Sequence, residues 1–547
     1  MKWQTICILI LGCFWGLSGL RGQAIISQVE VDEFDEGVNG YPYETGGYYG
    51  NLTYLMHKPA IHLNAGEFAY IWYPSKGGFQ KRILVKYNLL LEEQWRTDFE
   101  LEGEEEILHA FANDTAIVLL TYRYFYSDRT HRVMARTFNL QSGNMHENNF
   151  LYQHQGKSNE YLLFSPASDG QSFLIYHYEP AKPKGRLRSF WDYLYLDETL
   201  GYRIMGAGKL YFSHFNLMLE PLHRDSIDLQ LQPRHKSYAI ACQLDAEANV
   251  YVSIFDKPNS LRIIQYDCDQ RKQQTLVLED FINYWDEEEP YYTHLPLIVG
   301  SNERLYLGMA KRQRLRRTWQ TQRYELIVFD FREQFIDKSR QVETSSTLLV
   351  QTSKVREDYG LRPAKVFDNY VIRDILEMPD GSLWMITQKY DYDYHNSNFI
   401  TPAMKYGNNY KIEEMILYKF DAAGKYVGAL IVPFMQRLDD YSGFSEMFSS
   451  MYLDKDSREL HLLTHEMSGE KLTSPPRTFY RKIRLDHWDF TPRVQVFEGR
   501  RRTQHFFKNY TVWLNPQIVA LMVEDGSEGR TYVLTIDLAA EEEERSE

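Results

Sequence analysis

The sequence predicts an all-β fold, a ring of eight four-stranded antiparallel sheets, from three observations. A short phrase, an apolar strand closed by Asp or Asn, recurs eight times along the chain. Copies of it are preceded by another strand that follows an Asp-, Asn- or Gly-bearing turn. The last copy stops one strand short of a unit, while an alternating strand without a partner stands near the beginning. Repetition of this kind describes a single β-propeller.

The phrase reads ILVKYN (83–88), MARTFN (134–139), YFSHFN (211–216), RIIQYD (262–267), ELIVFD (325–330), ILYKFD (416–421), RKIRLD (481–486) and YVLTID (532–537). The steps between its final residues are 51, 77, 51, 63, 91, 65 and 51, a common unit with insertions. Preceding strands include TAIVLLT (115–121), QSFLIYH (171–177), ANVYVSI (248–254), GSLWMIT (381–387) and RELHLLT (458–464). Their turns, such as ANDT, SDGQ, DAEAN, PDGS and DKDSR, carry residues that tolerate tight-turn backbone angles. A further apolar stretch lies before each turn, and a more polar strand such as QWRTDFEL (94–101) follows the phrase. One blade is therefore strand A, turn, strand B, loop, strand C ending in Asp or Asn, turn, strand D. Seven blades is the alternative if one copy is irregular, and a pair of β-sandwiches is the competing architecture. The segment AIISQVEVDEF (24–34) supplies the outer strand that the last blade lacks and closes the ring.

Composition bounds the rest. Aromatics make up 15% of the 547 residues, including 41 Tyr, which suits β structure. The net charge of −14 argues against a nucleic-acid binder. Residues 1–22 read as a signal peptide, with Lys2, an apolar core at Ile6–Leu20 and a small-residue exit at Gly22. A membrane anchor and a lipidated Cys13 are the alternatives. The mature chain has no apolar run of span length, so it carries no predicted transmembrane segment. The expected organisation is a signal peptide at 1–22, the propeller at 23–538 and an acidic disordered tail at 539–547. Export implies a periplasmic, outer-membrane-associated or extracellular protein, expected to be a monomer.

The phrases YKFDAAGKYVGALIVP and MPDGSLWMIT resemble the blades of NHL-like propellers. With the signal and the Tyr-rich blades, the chain is similar to exported β-propeller proteins of Bacteroidota. The resemblance implies fold and export and transfers no catalytic residue.

Cys242 falls on strand A and Cys268 just after strand C of the fourth blade, with strand B between them. Their separation of about 9–10 Å exceeds the ~7 Å a disulfide allows, which predicts two free thiols.

In a propeller the B–C loops share one face with the D–A loops. Insertions fall at 178–209, 311–323, 388–412 and 465–479 in B–C positions and at 346–370 in a D–A position. Long loops on a rigid scaffold are where binding sits. The candidates are Tyr122, Tyr124 and Tyr126 in the second blade, Trp191 and Tyr193 in the third, Arg314 and Arg317 in the basic stretch of the fifth, and Tyr390 and Tyr392 in the sixth. Aromatics beside Arg suit sugars, acidic chains or a protein hot spot; solvated hairpins are the plainer reading. Asp391, Asp393 and His395 alternate onto one strand face and are suitable but incomplete metal ligands.

The mature sequence lacks GxSxG, HExxH, a CxxC pair, a P-loop and a dinucleotide fingerprint. No motif implies a cofactor. Asp374 and Glu377 are channel carboxylates three positions apart, hence on opposite strand faces. DKDSRE (454–459) falls short of a calcium loop and suits a turn. The sequence therefore favours an exported, non-catalytic binding or scaffold propeller, its glycan, peptide or protein ligand on the B–C face. A propeller-type glycoside hydrolase or lyase with carboxylates at the channel mouth is the alternative.

Overall fold

A computed structural model describes residues 24–31 and 59–538. Its longer interior breaks are at 73–79, 157–161, 180–201, 204–207, 232–236, 282–296, 394–408, 439–449, 468–475, 497–503 and 526–529, with shorter ones of one to three residues. These residues form eight antiparallel sheets, the blades of an eight-bladed β-propeller. All eight Asp/Asn-ended phrases are strand C of their blades, next to the outermost strand.

The reason for that ending is local. In blades one to six the side-chain oxygen of the Asp or Asn accepts backbone N–H groups of the C–D turn that follows. Asn88 takes those of Leu90 and Glu92 at 3.0 and 2.9 Å, and Asn139 those of Gln141 and Ser142 at 3.0 and 2.9 Å. Asn216, Asp267, Asp330 and Asp421 do the same to Glu220, Gln270, Glu333 and Lys425. Such side-chain turns pre-set the reversal of the chain. The A–B turns use the same device from Asn113, Asp169, Asp245, Asp380, Asp454 and Asn515. Asp454 also accepts from the Ser457 hydroxyl, so DKDSRE is a turn. Gly424 closes the sixth C–D turn at φ +88°, a left-handed conformation that suits glycine.

Strands B are buried on both faces, as they must be between two neighbouring blades. In blade four every residue of Asn249–Asp256 is buried. Eight apolar clusters follow, one at each blade interface. The cluster that joins the last blade to the first sets Val512, Met522 and Val533 against Phe68, Tyr70 and Val85. Tyr70 donates its hydroxyl to the Tyr510 carbonyl across the same joint at 2.8 Å. Strand A of blade one (Ala60–Asn64) touches strand A of blade two (Glu106–Ala112) and Val512–Trp513 of blade eight, which places the A strands innermost.

The closing strand is Ala24–Val31, paired antiparallel along Arg530–Asp537 from Ala24↔Asp537 to Val31↔Thr531. The ring is thus shut by the N-terminal segment, the arrangement the incomplete last repeat requires.

The insertions differ from plain loops in two places. The basic stretch 311–323 is mostly strand: strand B of blade five runs Arg304–Leu315 and strand C Thr318–Asp330, a long hairpin. The D–A segment after blade five contains helix α1 (Ser346–Asp358), capped by Ser345, whose hydroxyl accepts the Leu348 N–H. Its buried positions Leu348, Thr352 and Arg356 are spaced by four and face the propeller. Among the described residues no helix is long and apolar enough to cross a membrane.

Cys242 and Cys268 are both buried free thiols. They pack in the apolar core between blades three and four. Burial pushes both thiols up, Cys268 to about 12, which leaves them unreactive.

Candidate functional site

The described part of the loop face carries two built features, on blades two and six. In blade two the B–C hairpin joins strand B (Ala116–Phe125) to strand C (Thr130–Asn139), with Arg123 opposite Arg132 and Tyr124 opposite His131. Alternation separates its two faces. On one, Tyr124 meets Tyr126 edge-on at 4.8 Å and lies 4.6 Å from the His131 ring. Tyr126, at the tip, is 67% exposed. On the other face Phe125 lies between two guanidinium groups, Arg123 at 4.6 Å and Arg132 at 4.3 Å. Arg123 is held by Glu102 at 2.9 Å and Arg132 by Asp128 at 2.8 Å. The tip is thus an aromatic pair backed by fixed cations.

Beneath it runs a ladder of rings that crosses from blade two to blade three. Tyr122 and His131 share a hydrogen bond at 2.6 Å between the hydroxyl and Nδ1. His131 stacks with His154 at 5.9 Å, His154 with His177 at 3.7 Å, and His177 with Tyr211 at 5.3 Å. The Tyr152 hydroxyl shares a hydrogen bond with His177 Nδ1 at 2.9 Å. Burial, with His154 and His131 alongside, pulls His177 down to about 3. Burial likewise raises the Tyr152 hydroxyl to about 12. His177 is therefore neutral at ordinary pH, and the stacked rings form a packed support for the tip.

On blade six the hairpin joins strand B (Leu383–Asp393) to strand C (Asn409–Phe420). At its base α1 inserts Arg356 between Glu413 and Glu414, at 2.7 and 2.5 Å. The Tyr370 hydroxyl donates to Glu414, and Lys389 stands 4.0 Å from Glu413 and 5.8 Å from the Tyr370 ring. Burial drives the Glu414 carboxyl up, against the pull of Arg356. Ion pairs with a buried carboxylate recur in other blades: Arg136–Glu105 in blade two, Arg262–Asp256 in four, Arg323–Glu325 in five and Arg493–Glu466 in seven. Each of these carboxylates is engaged by an arginine, which fixes the hairpin bases.

The sequence candidates fall unevenly on this surface. Tyr122, Tyr124 and Tyr126 converge on blade two. Tyr390 and Tyr392 lie on strand B of blade six opposite Ile412 and Tyr410. Blades two and six are four apart in a ring of eight, so the two tyrosine sets stand on opposite sides of the axis. Arg314 is on strand B of blade five opposite Trp319. Arg317, Trp191, Tyr193 and His395 lie outside the described residues. Asp391 and Asp393 share a strand face, opposite Lys411 and Asn409. Among the described residues no three His, Cys, Asp or Glu side chains stand in metal-ligating geometry.

The channel pair does not form. Glu377 accepts from Ser301 N–H and hydroxyl at 2.7 Å each and from the Tyr306 hydroxyl at 2.7 Å, which ties blade six to blade five. Asp374 accepts the N–H of its neighbour Ile375 at 2.8 Å. The features that the sequence did not disclose are the histidine ladder and the Arg356 cluster, because both unite residues far apart in the chain.

No protein-family model matches the chain, and no curated protein matches it. Solved structures similar to it include Porphyromonas gingivalis dipeptidyl peptidase 4, at 8% identity over 91% of this chain and 67% of that one, with a TM-score of 0.38. Saccharomyces cerevisiae Sqt1 is similar at 9% identity over 94% of this chain and 100% of that one, TM-score 0.38. The polysaccharide lyase Uly1 is similar at 12% identity over 88% and 99%, TM-score 0.36. At such scores they carry no argument about activity, and the fold stands on the strand topology.

Proposed function

We propose that this is an exported, non-catalytic binding propeller whose glycan, peptide or protein ligand docks on the B–C face. The observation that carries the reading is the blade-two tip. Tyr126 is presented to solvent and Phe125 is framed by two anchored arginines, on a base locked by the histidine ladder. A rigid aromatic with flanking cations stacks on a sugar ring or anchors a peptide at low entropic cost. The apolar core at Ile6–Leu20 after Lys2, with its small-residue exit at Gly22, supports export. Glycan and peptide arrays probed with residues 23–547 test the reading. Tyr126→Ala and Phe125→Ala together should abolish the strongest signal and leave the melting temperature within a degree or two. Signal that survives both changes would move the site off this hairpin.

A hydrolase or lyase is the second reading, favoured by Glu414 alone. Its carboxyl is pushed up beside Glu413 and the Tyr370 hydroxyl, a pairing that suits acid–base work. Glu414 is fully buried, so substrate would reach it only with α1 lifted. Turnover of a mixed polysaccharide pool that Glu414→Gln abolishes would establish this reading over the first.

A further inference from the structure

Arg481 is one of the largest fully buried side chains in the protein, 1% exposed, and it is a permanent cation. It lies on strand C of blade seven (Pro476–Arg484), opposite Leu462. Alternation puts it on the same face as Ile483, a member of the apolar core between blades six and seven. The guanidinium is flanked by the rings of Tyr359, just past the end of α1, at 5.9 Å and Phe490 at 5.4 Å. Its Nη1 donates to the Pro433 carbonyl, just past the outer strand of blade six. Among the described residues Nε and Nη2 have no acceptor. Among the described residues no carboxylate lies within ion-pair distance of it.

Its neighbours are treated differently. Arg356 meets Glu413 and Glu414, Arg493 meets Glu466 at 3.1 Å, and Lys389 approaches Glu413. Cations near this end of the interface are matched to carboxylates until Arg481. A guanidinium cannot shed its proton to escape burial, and an uncompensated buried charge is among the costliest features a fold can hold. The two donors left over are also the pair that forms the side-on fork. Elsewhere in this protein that same fork grips carboxylates: Arg136 holds Glu105 through Nε and Nη2 at 3.0 and 2.5 Å, and Arg484 holds Asp489 through the same two atoms at 2.7 and 2.5 Å. The fork fits two oxygens of one oxyanion.

We propose that Arg481 is the anchor of an oxyanion-binding site between blades six and seven, which takes a carboxylate, sulfate or phosphate group bidentately on Nε and Nη2. The site makes the loop-face ligand an acidic one; it rests on the loop-face reading only for the source of the anion. The aromatic flanks hold the guanidinium plane in place, and Tyr359 couples the site to the last turn of α1.

Titration calorimetry and melting curves with sodium sulfate and with glucuronate, against sodium chloride at equal ionic strength, test this on the full chain from residue 23. The wild type should bind one equivalent and melt higher in sulfate than in chloride. Arg481→Met should lose that rise and, in chloride, melt no lower than the wild type, because a charge without a partner has been removed. Arg481→Lys keeps the charge without the fork and should bind at least tenfold more weakly. Glucuronate binding assigns the site to an acidic ligand, and sulfate binding alone assigns it to a free inorganic anion. Absence of saturable binding to the wild type overturns the proposal, as does an equal response from wild type and Arg481→Met. Tyr126→Ala should leave the titration intact, so that failure of the tip and failure of this site read separately.

Discussion

Acid should weaken this propeller through its histidine ladder, and His177 gives the magnitude. Its folded value is about 3, against 6.5 for a free imidazole. A depressed histidine is neutral in the fold and takes up a proton when the chain unfolds. The unfolded state therefore binds more protons below pH 6.5, and stability falls as pH drops through the window from about 6.5 towards about 3. At pH 5 the unfolded group is almost fully charged and the folded one almost fully neutral, which corresponds to about 2 kcal/mol lost relative to pH 7. Neighbouring carboxylates titrate too, so the comparison must be between the wild type and His177→Gln. Glutamine keeps a polar group near Tyr152 and removes the titration. Urea unfolding at pH 7 and pH 5 should show the wild type losing about 2 kcal/mol more than the variant. Parallel losses in the two proteins would refute the reasoning, since they would mean that His177 is solvated or protonated within the fold.

Three further outcomes follow from the geometry. Asn88→Ala removes the acceptor for two backbone N–H groups of a C–D turn and should cost about 1–2 kcal/mol in urea unfolding, whereas an exposed change such as Lys81→Ala should cost almost nothing. Arg356→Met leaves Glu413 and Glu414 buried without their cation and should cost about 3–5 kcal/mol, with loss of hydrogen-exchange protection beginning in α1. Deletion of Ala24–Val31 strips the outer strand from blade eight and exposes the edge of Arg530–Asp537; the shortened protein should aggregate and be cleaved in blade eight under limited proteolysis, and an unchanged monomer would show that the ring does not need its clasp.

The architecture was legible because its signals are local. The Asp or Asn that ends the C strands of blades one to six is conspicuous in the sequence for the same reason it matters in the fold: its oxygen makes the next turn. The count of blades and the closing strand followed from those phrases. Helix α1 was not legible because two of its three buried positions, Thr352 and Arg356, are polar, so no apolar period marks it; Ser345 as its cap was the one available signal. The length of the blade-five hairpin was hidden by its basic composition, which reads as loop although the strands continue to Leu315 and resume at Thr318. The tyrosines of the blade-two tip were visible from alternation. Their support was not, because His131, His154 and His177 meet only when blades two and three pack. Arg481 was hidden for the same reason: its anomaly is the absence of an acceptor at its fork among described residues, which only packing reveals.

The repeat departs from regularity on its inner strands. The C–D turns of blades one to six keep one design, but the inner strands do not. Strand A carries a register shift at Leu108 in blade two, Ile240 in blade four and Arg373 in blade six. Each lies five residues before the first residue of its A–B turn, Asn113, Asp245 and Met378. In blade eight strand A is split into Gln504–Phe506 and Val512–Trp513. Strand A of blade one is shifted too, beside its turn. A bulge bends and twists a strand and re-aims the side chains beyond it. The two built features of the loop face, the Tyr126 tip and the Arg356 cluster, both stand on blades with a shifted inner strand, on opposite sides of the axis.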